Sequence, residues 1–117
     1  LYRCFLGAKL HRVRVTEASP DYVGSITIDS RLLQLSGILP GERVLVADVD
    51  NGERLETYVI EGEAGSGTIC MNGAAALLVR PGHRVIVQQY VWIGPDEPPP
   101  VPKVVVAGDD NRDPVLL

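Results

Sequence analysis

The sequence predicts a mainly β chain closed into a pseudo-twofold β-barrel with two short helices. Short runs rich in β-branched residues recur between Gly, Pro, Asn and Asp punctuation, which is the pattern of many brief strands. The segment Ile38-Leu39-Pro40-Gly41-Glu42-Arg43-Val44-Leu45-Val46 is echoed by Leu78-Val79-Arg80-Pro81-Gly82-His83-Arg84-Val85-Ile86-Val87. Each copy follows a short helical stretch and leads into a strand, as two related halves of one barrel would. The third observation is length: 117 residues suffice for one core and not for two, so the chain is expected to be a single domain over 1–117.

In chain order, the first strand is expected from Cys4 to Thr16 and the second from Ser25 to Ile28. A helix follows from Arg31 to Ser36, capped by Asp29 or Ser30 and stopped by Gly37. Strands Arg43 to Val49 and Arg54 to Ile60 flank Asn51-Gly52, a pair suited to a type I′ hairpin because both residues tolerate positive φ. Gly67 to Met71 reads as a strand, and Ala74 to Leu78 as a second helix behind an Asn72 cap. Val85 to Ile93 is the next strand. Between Pro95 and Pro102 five of eight residues are proline, which cannot donate regular ladder bonds, so this segment reads as an extended connector before a last strand from Lys103 to Val106.

Charge narrows the function classes. A net charge of −4 argues against a nucleic-acid surface, which usually carries a basic balance. No apolar run approaches the roughly 18 residues that span a bilayer, and the first residues lack a charged-then-apolar secretory pattern, so a cytoplasmic protein is expected. Cys4 and Cys70 are far apart and have no histidines at ligand spacing, so the expectation is two reduced, mostly buried thiols and no metal.

Strand periodicity picks out further candidates. Unbroken alternation through Phe5 to Val15 would put Lys9 and His11 on one face with Phe5, Val13 and Val15, and Arg12 and Arg14 on the other. Two polar groups among apolar ones are either paired and functional or lie on a bent, solvated edge strand. Arg54, Glu56 and Tyr58 share one strand face, so an arginine fork suited to a carboxylate and a phenol able to donate a proton can point into a common space. Asn72-Gly73-Ala74-Ala75-Ala76 is either a capped helix start with small residues for close packing, or a set of backbone N–H groups able to hold a carboxylate. His83, Asp48, Asp50, Glu61 and Glu63 show no catalytic spacing and read as surface or packing residues.

The most informative stretch is Tyr22-Val23-Gly24-Ser25-Ile26-Thr27-Ile28-Asp29. It is accompanied by Lys9-Leu10-His11-Arg12-Val13, by Asn51-Gly52-Glu53-Arg54-Leu55-Glu56-Thr57-Tyr58 and by Asn72-Gly73-Ala74-Ala75-Ala76. In this order the four motifs resemble the pyruvoyl-dependent aspartate 1-decarboxylases, and the resemblance runs from the first residues to the Pro-rich segment. It implies a double-psi β-barrel, a homotetramer with sites between subunits, and L-aspartate as substrate, with β-alanine and carbon dioxide as products and pantothenate synthesis as the destination.

By the same resemblance the chain cuts itself between Gly24 and Ser25 into pieces 1–24 and 25–117. The Ser25 hydroxyl attacks the Gly24 carbonyl, the ester eliminates to dehydroalanine, and hydrolysis leaves a pyruvoyl cofactor at the new amino end. Thr57 supports the cut. A Schiff base between the substrate amine and the pyruvoyl ketone then serves as electron sink, Tyr58 protonates the α-carbon, and Lys9, Arg54, Thr57, Asn72, Gly73, Ala74 and Ala75 bind the substrate. Ser19-Pro20-Asp21, Ala64 and Leu77 depart from the residues usual in that family. Two other functions fit the same barrel: an uncleaved binding module, and a pyruvoyl decarboxylase of another amino acid.

Overall fold

The protein is described by a computed structural model covering residues 1–117. The strands are β1 (Arg3–Arg14), β2 (Glu17–Ser19), β3 (Ser25–Asp29), β4 (Arg43–Asp48), β5 (Arg54–Gly62), β6 (Ile69–Asn72), β7 (Arg84–Ile93), β8 (Lys103–Val106) and β9 (Val115–Leu116). Helix α1 (Ser30–Ser36) lies between β3 and β4, and a 3-10 helix (Gly73–Leu77) between β6 and β7. Each expected strand and helix is found within a few residues of its expected bounds, while β2 and β9 are too short to carry a periodic signal.

Pairing runs in the order β2-β6-β3-β5-β4-β7-β1-β8-β9. The list closes on itself because β1 and β2 are consecutive stretches of one bent strand. Up to Arg14 that strand pairs with β7; from Thr16, whose N–H donates to Ile69 O at 2.8 Å, it pairs with β6. A barrel of mainly β structure results, with β8 laid parallel against the outside of the ring on β1 and β9 at its edge.

The repeat seen in the sequence is a repeat in space. Gly41 N–H donates to Val59 O and Gly82 N–H to Val15 O, both at 2.8 Å, with φ of 89° and 90° at the two glycines. Val59 N–H returns a bond to Glu42 O and Val15 N–H to His83 O. Each half thus uses a left-handed glycine, closed to most side chains, to seat the chain after a helix against a crossing strand. The parallel pairs β3–β5 and β2–β6 occupy matching places, the crossed arrangement of a double-psi barrel. Inside, Leu10, Ile26, Ile28, Val46, Val59, Ile69, Met71, Val85 and Val87 belong to one buried cluster that takes residues from every strand of the ring except β2. No helix is long and apolar enough to cross a membrane.

Four local expectations are corrected. Alternation along β1 is not continuous: bulges fall between Leu6 and Ala8 and between Leu10 and Val13, and Arg12 sits at φ 59°. The inward set therefore changes from Ala8 and Leu10 to Val13 and Val15, so Lys9 and His11 are half-buried on the face opposite Leu10 and do not share the face of Val13 and Val15. The hairpin at Asn51-Gly52 is not type I′, since only Gly52 has positive φ; a five-residue turn closes through Gly52 N–H to Asp48 O, and Asn51 Oδ1 accepts from Glu53 N–H. The second helix is of the tighter 3-10 type and Asn72 does not cap it, because its side chain is engaged elsewhere. Cys4 is exposed, whereas Cys70 is buried as expected.

Candidate active site

The Gly24-Ser25 junction is where an exposed loop enters the barrel. Tyr22, Val23 and Gly24 are exposed, and Ser25, the first residue of β3, is fully buried opposite Asn72 of β6. Ser25 Oγ donates to Val23 O at 3.3 Å and accepts from Asn72 Nδ2 at 2.8 Å. The same Nδ2 donates to Thr27 Oγ1 at 3.1 Å, and Asn72 Oδ1 accepts from Cys70 Sγ at 3.3 Å. The Ser25 hydroxyl is held from two sides and not left to rotate.

Close approach on the other flank depends on Gly73. A Cβ there would lie 2.6 Å from Gly24 Cα and 2.9 Å from its nitrogen, and the residue has φ 71°. Glycine is the one residue that lets the start of the 3-10 helix lie against the Gly24-Ser25 junction.

A cavity of about 390 Å³ opens beside this junction. Gly24, Thr57, Tyr58, Asn72, Ala74 and Ala75, all singled out from the sequence, are on its wall together with Leu55, Glu56 and Leu78. Tyr58 is 40% exposed, which leaves its ring free at the opening. Ser25 itself lies behind Asn72 and Gly24 and does not line the cavity.

Lys9 and Arg54 are not on this wall. Arg54 opens β5 and shares a face with Tyr58, but four residues of extended chain separate the two by about 13 Å. Lys9 is on β1, between Gln88 of β7 and Val104 of β8. The cavity therefore has one carboxylate, Glu56, and no cation of its own. Beside Lys9, His11 has a buried Nδ1 without a hydrogen-bond partner. Burial, then the charges of Lys9 and Arg12, hold its pKa below the usual 6.5, which favours the neutral ring.

Thr27 and Cys70 belong to the Ser25 network and were not singled out. Neither stands at a spacing that marks it in sequence; their role follows from the β3–β6 register, which sets Thr27 opposite Cys70. Asp48, Asp50 and His83 prove to be packing residues. Buried Asp48 contacts His83 Nδ1 at 2.6 Å and accepts from Asp50 N–H, while Asp50 accepts from Arg84 N–H, tying the β4–β5 turn to the start of β7.

The sequence is similar to those of known proteins. The family model described as aspartate decarboxylase matches residues 1–113. The chain is 53% identical over 108 residues to aspartate 1-decarboxylase of Caldicellulosiruptor saccharolyticus, covering 92% of this chain and 84% of that one. It is 50% identical over 113 residues to the enzymes of that name from Corynebacterium efficiens and Bacillus subtilis, covering 96% of this chain and 83% and 89% of theirs.

Proposed function

Because the chain belongs to the aspartate decarboxylase family, we propose that it cuts itself at Gly24-Ser25 and decarboxylates L-aspartate to β-alanine and carbon dioxide. It is a carboxy-lyase of that family, and the β-alanine supplies pantothenate synthesis in the cytoplasm. The observation that carries this reading is the buried Ser25 hydroxyl, fixed by Asn72 at 2.8 Å, directly behind a cavity whose wall includes Gly24, Thr57 and Tyr58.

The bonds made and broken in the cut all lie at the junction. Ser25 Oγ bonds to the Gly24 carbonyl carbon as the C–N bond between the two residues breaks, and the hydroxyl proton ends on the freed nitrogen. Loss of the Ser25 α-proton then expels Gly24 as a carboxylate and leaves dehydroalanine. Water replaces the nitrogen, ammonia departs, and a pyruvoyl group remains attached to Ile26. A serine hydroxyl is a weak nucleophile at its ordinary pKa, so its fixed position supplies much of the rate. The surroundings suit the group that results: β3 is paired to β5 on one side and β6 on the other, so the new amino end stays beside the cavity after the cut.

Once formed, the pyruvoyl ketone supplies the electron sink for a departing α-carboxylate. The chain's own residues do the rest. Asn72 and the backbone at Gly73, Ala74 and Ala75 hold the substrate, Thr57 orients it, and the Tyr58 phenol delivers a proton to the α-carbon, a contribution of about 10² to 10⁴ in rate. No lysine or arginine lines the cavity to attract the two substrate carboxylates, and the Glu56 carboxylate is already paired with Arg43 at 3.6 Å. Lys9 and Arg54 of a second copy supply the missing positive charge, so the working form is a homotetramer with each site shared between copies.

The denatured mass of the purified protein tests the cut. Fragments 1–24 and 25–117, the larger lighter by one ammonia than a serine-started chain, are expected, with β-alanine formed from aspartate. An intact chain after prolonged warming would overturn the cleavage and leave a binding module. Cleavage without β-alanine would point to another amino acid as substrate.

A further inference from the structure

We propose that the Cys70 thiol positions Asn72, and through it the Ser25 hydroxyl, for self-cleavage; the inference rests on the cleavage proposed above. An asparagine amide has an end that only donates and an end that only accepts, so the side chain works in one orientation. Asn72 is 3% exposed, and both ends must find partners inside the protein. Its Nδ2 spends one proton on Ser25 Oγ and the other on Thr27 Oγ1. Hydroxyls can accept or donate, so these two partners alone do not decide which way the amide faces.

Cys70 decides it. Its Sγ lies 3.3 Å from Asn72 Oδ1, and it is the one donor that this oxygen has. A flipped amide would face Nδ2 toward a sulfur that accepts weakly and Oδ1 toward Ser25. The Ser25 proton would then be drawn to Asn72 and away from Val23 O, and Oγ would lose the N–H that fixes its position. Burial, then the nearby Glu17 carboxylate, push the thiol pKa up, partly offset by Ser19, so the sulfur keeps its proton and remains a donor through neutral pH. The thiol touches no reacting atom; it is a positioning residue.

The test compares the rate of appearance of fragment 25–117, by denatured mass, in full-length chains. Cys70→Ala should cleave slower on the order of tenfold, as the loss of one orienting hydrogen bond implies, while Cys70→Ser, which keeps a donor, should stay within about threefold of the parent. In an Asn72→Ala background the alanine at position 70 should have no further effect, since the path runs through that amide; independent packing damage would instead add. Cys70→Val, of similar volume and without a donor, replaces the alanine variant if that chain does not fold, and should cleave as slowly. Normal cleavage in the chains lacking a donor, or a serine variant as slow as they are, would overturn the role of Cys70 while leaving self-cleavage intact. A parent chain that never cleaves would overturn the parent reading instead.

Discussion

At the scale of single residues, the site separates two jobs that one serine motif suggests together. In the proposed reaction, making the cofactor depends on Ser25 and the groups that hold it at the junction, using it depends on groups that face the cavity, and Thr57 and Asn72 serve both. Tyr58 is on the facing side, so Tyr58→Phe should cleave at the parent rate and lose activity on aspartate by about a hundredfold or more. Thr57→Val should leave an uncut chain; paired measurements of fragment mass and β-alanine formation would show whether the two variants fail at different steps. Gly73 serves the first job as well as its proposed place in substrate binding. Gly73→Ala should slow cleavage by tenfold or more, because its Cβ would meet the Gly24 backbone at 2.6 Å. Gly52→Ala is the control. Its φ of 78° carries the same kind of backbone strain, but nothing lies within 4 Å of the added carbon, so it should lose stability and cleave normally.

At the scale of elements, Asp29 joins pieces that sequence treats as separate. It ends β3, caps α1 by accepting from Arg31 N–H at 2.9 Å, and accepts from Gly65 and Gly67 N–H in the loop that leads to β6. Asp29→Ala removes a cap worth about 1 kcal/mol and strands buried donors, so unfolding in urea should show a loss of about 2 to 4 kcal/mol. A loss below 1 kcal/mol would mean that water satisfies those donors. The cap was legible in sequence because it is local: an Asp before a short apolar run and a Gly after it. The bonds to Gly65 and Gly67 were not, since nothing in a sequence marks contacts more than thirty residues away. The same distinction explains β1. Period-2 alternation is a local rule and fails where Arg12 takes a left-handed conformation, so the face of Lys9 and His11 was misread. Asn72 does not form the cap expected of it, because a buried amide bonds to its cross-strand partner in preference to the backbone beside it.

At the scale of the whole molecule, the cavity beside Gly24-Ser25 has no lysine or arginine on its wall. Thr57, Tyr58, Asn72 and Ala74 converge, yet Lys9 and Arg54, which the family resemblance marks for a carboxylate, do not line the cavity. Strand geometry sets the Arg54 Cα about 13 Å from that of Tyr58, and Arg54 is not on the cavity wall. If a neighbouring copy brings its own Lys9 and Arg54 to the cavity, two different defects can compensate each other. Tyr58→Phe and Arg54→Ala chains should each be nearly inactive alone. When they are co-expressed in equal amounts, a site drawn from two copies receives an intact Tyr58 from one and an intact Arg54 from the other in about a quarter of cases, and activity should return to about that fraction of the parent value. A site built within one chain offers no such combination, because every copy carries one defect. Co-assembled variants that stay inactive, although both are cleaved and tetrameric, would confine the site to a single chain and require Arg54 to serve the cavity of its own chain.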